Sequence, residues 1–180
     1  AMIGVVISDN LLLLVMFWEL TSLTSFLLVA YWSDLPSARQ AARMALTVTG
    51  LGGLCLLAGV LVLGHLVGSL ELSDVLRAPE AIQADPLFPV ALVLIVVGAF
   101  TKSAQLPFHF WLPAAMSAPT PVSAYLHSAT MVKAGVFLLA RMYPVFAGTD
   151  LWFYLVGGVG LATLLVAAYI ALLQHDLKGL

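Results

Sequence analysis

Five long apolar segments dominate this sequence, and they restrict the folds that it can adopt. Charged residues and prolines separate the segments, which run at about 11–32, 43–68, 89–112, 121–143 and 151–173. An α-helix needs roughly 20 apolar residues to cross the hydrocarbon core of a bilayer. The sequence therefore predicts an all-α, polytopic membrane helix bundle with about five transmembrane helices, plus the end of another helix at residues 1–7.

The composition excludes several classes of soluble protein. Hydrophobic residues make up 62% of the 180 residues and charged residues only 9%, which leaves too little polar surface for a soluble domain. The net charge of -2 provides no basic stripe for nucleic acid, so we expect no nucleic-acid partner. A single cysteine rules out a disulfide framework and a cysteine-ligated zinc or iron–sulfur site.

Basic residues in the loops set the expected orientation. Arg39 and Arg43 follow the first span and Lys178 follows the fifth, whereas the polar loop 69–88 has one arginine among four acids. Lysine and arginine concentrate in short cytoplasmic loops, so we expect residues 33–42 on the inner side. Arg141, at an outer end, runs against this pattern.

The two ends of the sequence are typical of a fragment of a longer protein. Residues 1–7 have the character of the last turns of a preceding helix and lack the basic region of a signal peptide. Leu180 follows a charged loop that nothing closes. We therefore expect residues 1–180 to be a fragment of a longer protein, truncated at both ends.

Three charged residues lie near the middle of predicted spans: Glu19, Lys102 and Lys133. A charge at mid-membrane costs about 2.5–3.5 kcal/mol on insertion scales, and such residues normally face the bundle interior and mark an ion or proton path. A movable Glu19–Lys102 pair would switch the protonation of the lysine near neutral pH. The alternatives are a structural ion pair or a protonated carboxyl at Glu19, and a snorkelling lysine beside a structural kink at Lys102.

A proline follows a polar cluster in the third span, which comprises Thr101, Lys102, Ser103, Gln105 and Pro107. Pro107 cannot donate a hydrogen bond to the Ser103 carbonyl, so the helix should kink or unwind there. Freed backbone at membrane depth is tolerated where it lines a cavity or an ion site. The sequence thus predicts a proline-broken helix near 98–113, whose polar residues line a channel.

Four polar residues of the fourth span form a predicted stripe: Ser123, His127, Thr130 and Lys133. At 100° per residue they fall within an arc of about 120° and rise about 15 Å over ten residues. Histidine titrates near neutral pH and hydroxyls hold water, so the stripe is a candidate proton relay. A buried histidine that only forms a hydrogen bond between helices is the alternative for His127.

The sequence says less about the roles of the other histidines. His109 lies just past the break and is either a channel residue or an interfacial aromatic anchor. His65 is expected at the membrane interface, and His175 in a loop without a role. The sequence has no metalloprotease helix, phosphate-binding loop or dinucleotide fingerprint, so we expect no metal and no cofactor.

Residues 98–141 resemble a known transporter family. The run GAFTKSAQLPFHFWLP is followed by APTPVSAYLHSATMVKAG, and together they resemble the antiporter-like transporters. This family includes membrane-arm subunits of respiratory complex I and Mrp-type multisubunit cation/proton antiporters. The resemblance implies that Glu19 is the family's essential glutamate, Lys102 the lysine of its broken helix and His127 the histidine of the next helix. Lys133 matches a lysine that only some members have. The resemblance also implies that residues 1–180 are a partial transmembrane proton-channel half.

The sequence Trp111-Leu112-Pro113-Ala114 favours one branch of the family, because complex I members usually have aspartate after the proline. The chain is most similar to A subunits of Mrp-type antiporters. This implies a proton-translocating subunit of a Na+/H+ antiporter in the plasma (inner) membrane of a bacterium, and a transporter rather than an enzyme. Its partners would be other membrane subunits, the lipid bilayer, protons and a monovalent cation. A proton-pumping subunit of complex I or a membrane hydrogenase, and a structural membrane scaffold, are the alternatives.

Overall fold

The computed structural model describes residues 1–174, except for the side chains of residues 127–129. Residues 175–180, which include His175 and Lys178, lie outside the described residues. The described part contains eleven α-helices: α1 (Met2–Ile7), α2 (Leu11–Val29), α3 (Pro36–Val67), α4 (Leu72–Arg77), α5 (Pro79–Ala84), α6 (Phe88–Lys102), α7 (Trp111–Ala115), α8 (Thr120–Ala124), α9 (Met131–Phe146), α10 (Asp150–Trp152) and α11 (Gly158–Leu172).

Three short segments with other helical geometry connect these elements. Phe108–Phe110 forms a 3-10 turn, and Tyr125–Thr130 and Phe153–Gly157 form π-helical segments. No strand occurs within residues 1–174. Among the described residues, three helices are long and apolar enough to cross a membrane: Leu11–Val29, Pro36–Val67 and the composite helix Asp150–Leu172. The prediction of an all-α membrane helix bundle is thereby confirmed.

Helix α2 begins at a well-formed N-cap. The Asn10 side chain accepts hydrogen bonds from the backbone N–H groups of Leu12 and Leu13, at 3.0 and 3.1 Å. An N-cap side chain of this kind satisfies donors that have no partner within the helix. The Asn10 amide also donates to Glu71 at 2.9 Å, which fastens the start of α2 to the loop 69–88. The helix ends at Val29, before the predicted end at residue 32.

Helix α3 starts earlier than the sequence suggested. It begins at Pro36 instead of residue 43, because a proline in the first helical turn needs no hydrogen bond from its nitrogen. The helix then continues for 32 residues and ends at Gly68, whose φ of 75° is in the left-handed region that favours glycine. Within the predicted polar loop 69–88, the structure has the two short helices α4 and α5.

Helix α6 is the centre of the bundle. Its buried face includes Ala91, Leu92 and Ile95, which pack with buried residues of α2, α3 and α9 in one hydrophobic core. A second core around Trp111 joins α7 to the first half of α3. The composite helix Asp150–Leu172 lies at the edge, and none of its most apolar window is buried within this chain.

Close contact between α3 and α6 depends on glycine. A methyl group on Gly98 would lie 2.8 Å from the Leu56 Cβ and 2.9 Å from the Gly52 carbonyl oxygen. Both distances are shorter than normal van der Waals contacts. The two helices therefore approach too closely for any larger residue at position 98.

We expect Gly98→Ala to lower the thermal unfolding temperature of the purified parent assembly, since overpacking costs about 1–3 kcal/mol. Gly50→Ala is the matched control, because nothing lies within 4 Å of its added methyl group. Alanine in a helix is favoured over glycine by up to about 1 kcal/mol, so the control should be neutral or slightly stabilised. Equal unfolding temperatures for the two variants would contradict this packing.

Candidate functional site

Lys102 is the buried charge around which the site is built. It is the last residue of α6 and is fully buried. Its Nζ donates hydrogen bonds to the backbone oxygen of Trp18, at 2.9 Å, and to the Ser22 Oγ, at 2.5 Å. The same nitrogen lies 5.2 Å from the centre of the Trp18 ring, within the range of a cation–π interaction. Lys102 therefore reaches from α6 across to α2.

Glu19 lies beside this lysine without touching it. The charges of Glu19 and Lys102 interact electrostatically, but no ion pair within 4.0 Å joins these two described residues. The Glu19 Oε1 atom is buried and has no hydrogen-bond partner among the described residues. It faces Gly53 of α3, where an added Cβ would overlap it. Glycine at position 53 thus provides the space that the carboxyl group occupies.

The break after α6 is a Schellman motif, which ends the helix before the proline. The N–H of Gln105 donates to the Phe100 carbonyl at 2.9 Å, and the N–H of Ala104 to the Thr101 carbonyl at 3.4 Å. Ala104 has a φ of 51°, a left-handed conformation that is uncommon for residues other than glycine. The predicted broken helix is present, and it unwinds from Ser103, ahead of Pro107.

Side chains from other elements hold the backbone freed by the break. The N–H of Leu106 donates to the Thr163 hydroxyl at 3.0 Å, and the Trp111 indole donates to the Thr101 carbonyl at 3.0 Å. Ser103 donates through its hydroxyl to the Val132 carbonyl on α9, at 2.7 Å. Polar contacts therefore satisfy the Leu106 N–H and the Thr101 carbonyl at the break, as required at membrane depth.

A cavity of about 300 Å³ lies between the break and the composite helix Asp150–Leu172. Its lining includes Ser103, Gln105, His109 and Thr163. The Nδ1 atom of His109 is buried and has no hydrogen-bond partner among the described residues. Of the predicted channel-lining residues, three therefore meet at this cavity. Thr101 is buried on the other side of the break, against Gly52, and Pro107 lies beside a separate, almost wholly apolar groove.

The four residues of the predicted stripe do not share one environment. Ser123 is buried, whereas Lys133 is exposed at the surface of this chain. The backbone of His127 lies in the π segment Tyr125–Thr130, and its side chain lies outside the described residues. A π-helix has wider turns than an α-helix, so the arc calculated at 100° per residue does not describe this segment.

Thr130 is brought next to hydroxyl groups of α2. A cavity of about 220 Å³ between α2 and the π segment is lined by residues that include Thr21, Ser25, Tyr125 and Thr130. Thr130 itself donates to the Tyr125 carbonyl at 3.1 Å. Thr21 and Ser25 lie close along α2 to Ser22, which binds Lys102. The hydroxyl cavity therefore lies close to the lysine site.

Sequence reasoning did not assign a site role to Trp18, Ser22, Gly53 or Thr163. The positions of Trp18, Ser22 and Ser25 follow the i, i+4, i+7 spacing of one helix face, which would have indicated a polar face beside Glu19. Gly53 and Thr163 gave no such signal, because their importance depends on which helices are neighbours.

These features define a polytopic membrane protein with a buried ionisable centre at a broken helix. The chain belongs to the family described as NADH:quinone oxidoreductase/Mrp antiporter, transmembrane, whose profile matches residues 8–180. The family expected from residues 98–141 is confirmed.

Curated relatives match over the whole chain. The probable A/B subunit of a K(+)/H(+) antiporter from Rhizobium meliloti is 62% identical over 180 residues, which are 100% of this chain and 18% of that protein. The A subunit of a Na(+)/H(+) antiporter from Alkalihalophilus pseudofirmus is 50% identical over 100% of this chain and 22% of that protein. The chain thus spans about a fifth of the length of these relatives.

Solved structures share the fold. The Mrp complex from a Dietzia species matches with a TM-score of 0.92 and 44% identity, over 98% of this chain and 19% of that chain. An archaeal respiratory membrane complex, the membrane-bound sulfane sulfur reductase, matches with a TM-score of 0.86 and 26% identity, over 99% of this chain and 37% of that chain.

We expect Ser22→Ala to lower the thermal unfolding temperature of the parent assembly, because Lys102 loses a charge-assisted hydrogen bond worth about 1.5–3 kcal/mol. Ser25→Ala is the matched control: Ser25 is equally buried on the same helix but does not contact Lys102. Differential scanning fluorimetry in detergent would measure both. If the two variants unfold at the same temperature, Ser22 does not hold the lysine.

Proposed function

We propose that this chain is the proton-translocating part of a membrane subunit in a monovalent cation/proton antiporter. The observation that carries the proposal is the fully buried Lys102, bound by the Trp18 carbonyl and Ser22 at the end of a broken helix. Ionisable residues inside membrane helices are costly to bury and normally belong to ion or proton paths. The family membership, and relatives named as antiporter subunits, support the same function.

Lys102 is the proposed proton carrier. A protonated lysine has three N–H donors, and Trp18 and Ser22 accept two hydrogen bonds from it. The third is available for the proton that moves. Glu19 interacts with the lysine through its charge without an ion pair, so a change in protonation of either residue alters the electrostatic energy of the other.

Two cavities near the lysine, each lined by apolar residues and by a few polar side chains, give the proposed proton route. On one side, the hydroxyls of Thr21, Ser25 and Thr130 lead towards the π segment that contains His127. On the other side, Ser103, Gln105 and His109 line the cavity at the break. Hydroxyls and amides can hold water by hydrogen bonds, and imidazoles can take up and release protons. The other two proposed members of the relay lie on either side of the π segment: Ser123 on α8, before it, and Lys133 on α9, after it.

The exchanged ion and the setting are part of the proposal. Relatives named for K+ and for Na+ both match the whole chain, so we propose a monovalent cation and test both ions, with Na+ the one expected from the sequence. The chain would work within a multisubunit complex with other membrane subunits, in the plasma membrane of a bacterium. It would serve in secondary transport without a cofactor of its own.

A redox-driven proton pump is the second candidate. The fold is shared with a respiratory membrane complex at 26% identity, and the family includes NADH:quinone oxidoreductase. In that setting the same lysine site would translocate protons, while redox chemistry would occur in other subunits.

We expect Na+ or K+ to collapse a pH gradient in everted vesicles that contain the parent assembly, from a strain without other antiporters. Lys102→Met should abolish the response, because methionine matches the length of the lysine stem but carries no proton. Arg77→Met is the control: it also removes one positive charge, from the exposed end of α4. Gradient formation only after a reductant is added would favour the redox-driven pump. Normal flux in the double variant Lys102→Met/Glu19→Gln would mean that the chain is a structural membrane scaffold.

We expect His127→Ala to slow the cation-dependent proton flux by about a hundredfold, the size of effect typical for a lost proton-transfer group. Thr130→Val should also slow it, since valine keeps the shape of threonine but loses the hydroxyl that lines the cavity. Thr49→Val is the control, because the buried Thr49 hydroxyl donates to the Ala45 carbonyl of its own helix and lines neither cavity of the proposed route. Unchanged flux in both test variants, in a fully assembled complex, would refute the relay.

A further inference from the structure

A hydroxyl group of the composite helix Asp150–Leu172 binds the backbone of the break after α6. The Thr163 Oγ1 atom accepts a hydrogen bond from the Leu106 N–H at 3.0 Å. The same hydroxyl donates to the Val159 carbonyl, one turn earlier in its own helix, at 2.7 Å. Because that second bond takes the hydrogen of the hydroxyl, its oxygen is left to accept from Leu106. Thr163 is therefore held as an acceptor for the backbone of the break.

Among the described residues, the Leu106 N–H finds its acceptor outside its own segment. The Schellman motif supplies acceptors to the N–H groups of Ala104 and Gln105, and Pro107 has no N–H. The Leu106 N–H lies between them and donates to Thr163. Unpaired backbone groups are costly at membrane depth. The conformation of the break therefore depends on a side chain of another helix.

Thr163 is the polar member of an otherwise apolar helix face. The residues of α11 that line the cavity at the break are Thr163, Val166, Ala167, Ile170 and Ala171. Among these, Thr163 alone has a side chain that forms hydrogen bonds. None of the described residues of α11 is buried within this chain, so apolar packing within the chain does not fix this helix against the break. The hydrogen bond of Thr163 provides the directional contact between the two elements.

We propose that Thr163 is a positioning residue for proton transfer in the cavity at the break. Gln105 and His109 lie on either side of the Leu106–Pro107 peptide, and both line this cavity. The Thr163 hydroxyl holds that peptide in place, and with it the backbone that carries the two side chains. Proton transfer requires groups within hydrogen-bond reach, so displacement of either side chain slows it. This role rests on the proton route proposed above.

Four variants separate the effect of the hydroxyl from that of side-chain size. Thr163→Val keeps the shape of threonine without the hydroxyl. Thr163→Ser and Thr163→Ala differ from each other by the hydroxyl oxygen alone. Thr49→Val is the matched control, because the Thr49 hydroxyl also donates to a carbonyl four residues earlier, that of Ala45, at 2.8 Å. Thr49 does not line the cavity at the break, and the Leu106 N–H donates to Thr163.

Hydrogen–deuterium exchange of the purified parent assembly measures the contact itself. Overlapping peptides across residues 100–112 resolve the Leu106 amide, with amides within α6 as the internal reference. We expect exchange at Leu106 to be about tenfold faster in Thr163→Val and Thr163→Ala, the factor that one ordinary hydrogen bond contributes. Thr163→Ser and Thr49→Val should exchange like the unmodified assembly. This measurement does not depend on transport.

Cation-dependent proton flux in vesicles measures the positioning role. We expect Thr163→Val and Thr163→Ala to slow the maximal flux about tenfold, the same factor applied to the rate. The half-saturating cation concentration should stay unchanged, because the cavity at the break belongs to the proton route. Thr163→Ser should restore the flux, and Thr49→Val should not alter it. Size-exclusion chromatography verifies assembly, and the serine and alanine variants carry the test if Thr163→Val does not assemble.

Three results would overturn the proposal. Unchanged exchange at Leu106 in the variants without the hydroxyl would mean that Thr163 does not hold this peptide. Faster exchange with normal flux would make the contact purely structural. Equally slow flux in Thr163→Ser and Thr163→Ala would assign the effect to the methyl group. Normal flux in Thr163→Val alone leaves the proposed function intact, whereas normal flux in Lys102→Met would overturn that function and this role with it.

Discussion

The burial of one lysine sets the requirements that the rest of this bundle meets. Lys102 is fully enclosed by protein, and an isolated ammonium group in an apolar interior is strongly destabilising. The compensation comes from α2, through the Ser22 hydroxyl and the Trp18 carbonyl oxygen. That oxygen accepts from Lys102 at 2.9 Å and from the Thr21 hydroxyl at 2.7 Å. The helix backbone thus supplies part of the polar environment that acidic side chains supply in soluble proteins.

This arrangement requires small residues on α3 where α2 and α6 pack against it. Gly53 leaves room for the Glu19 carboxyl and Gly52 for the Thr101 side chain. In membranes, small residues let helices approach closely. Here they do more than tighten packing, because the space that they leave is filled by polar groups of the site. Helix α3 therefore contributes to the site through its glycines, which leave space for the side chains of other helices.

The sequence predicted the chemistry of the site better than its geometry. Glu19 and Lys102 were evident because charges are rare in apolar segments, and the broken helix was expected from Pro107. The break nevertheless occurs earlier, because the left-handed cap is Ala104, a residue without the usual glycine signature. The π segment was also missed, since an α-helical period assumes a constant rotation per residue. Contacts such as that of Lys102 with Ser22 depend on which helices are neighbours, which no local pattern specifies.

The different environments of Glu19 and Lys102 bear on how the pair can function. Lys102 has hydrogen-bond partners, whereas the buried Oε1 of Glu19 has none among the described residues. A directly bonded pair would hold each partner in its charged form, and breaking it would leave two uncompensated charges. Separated groups interact only through their charges, so one can gain or lose a proton without rupture of a contact. In the proposed mechanism, the lysine is bound by neutral oxygens, while the glutamate adjusts the potential at the lysine from outside its hydrogen-bond shell.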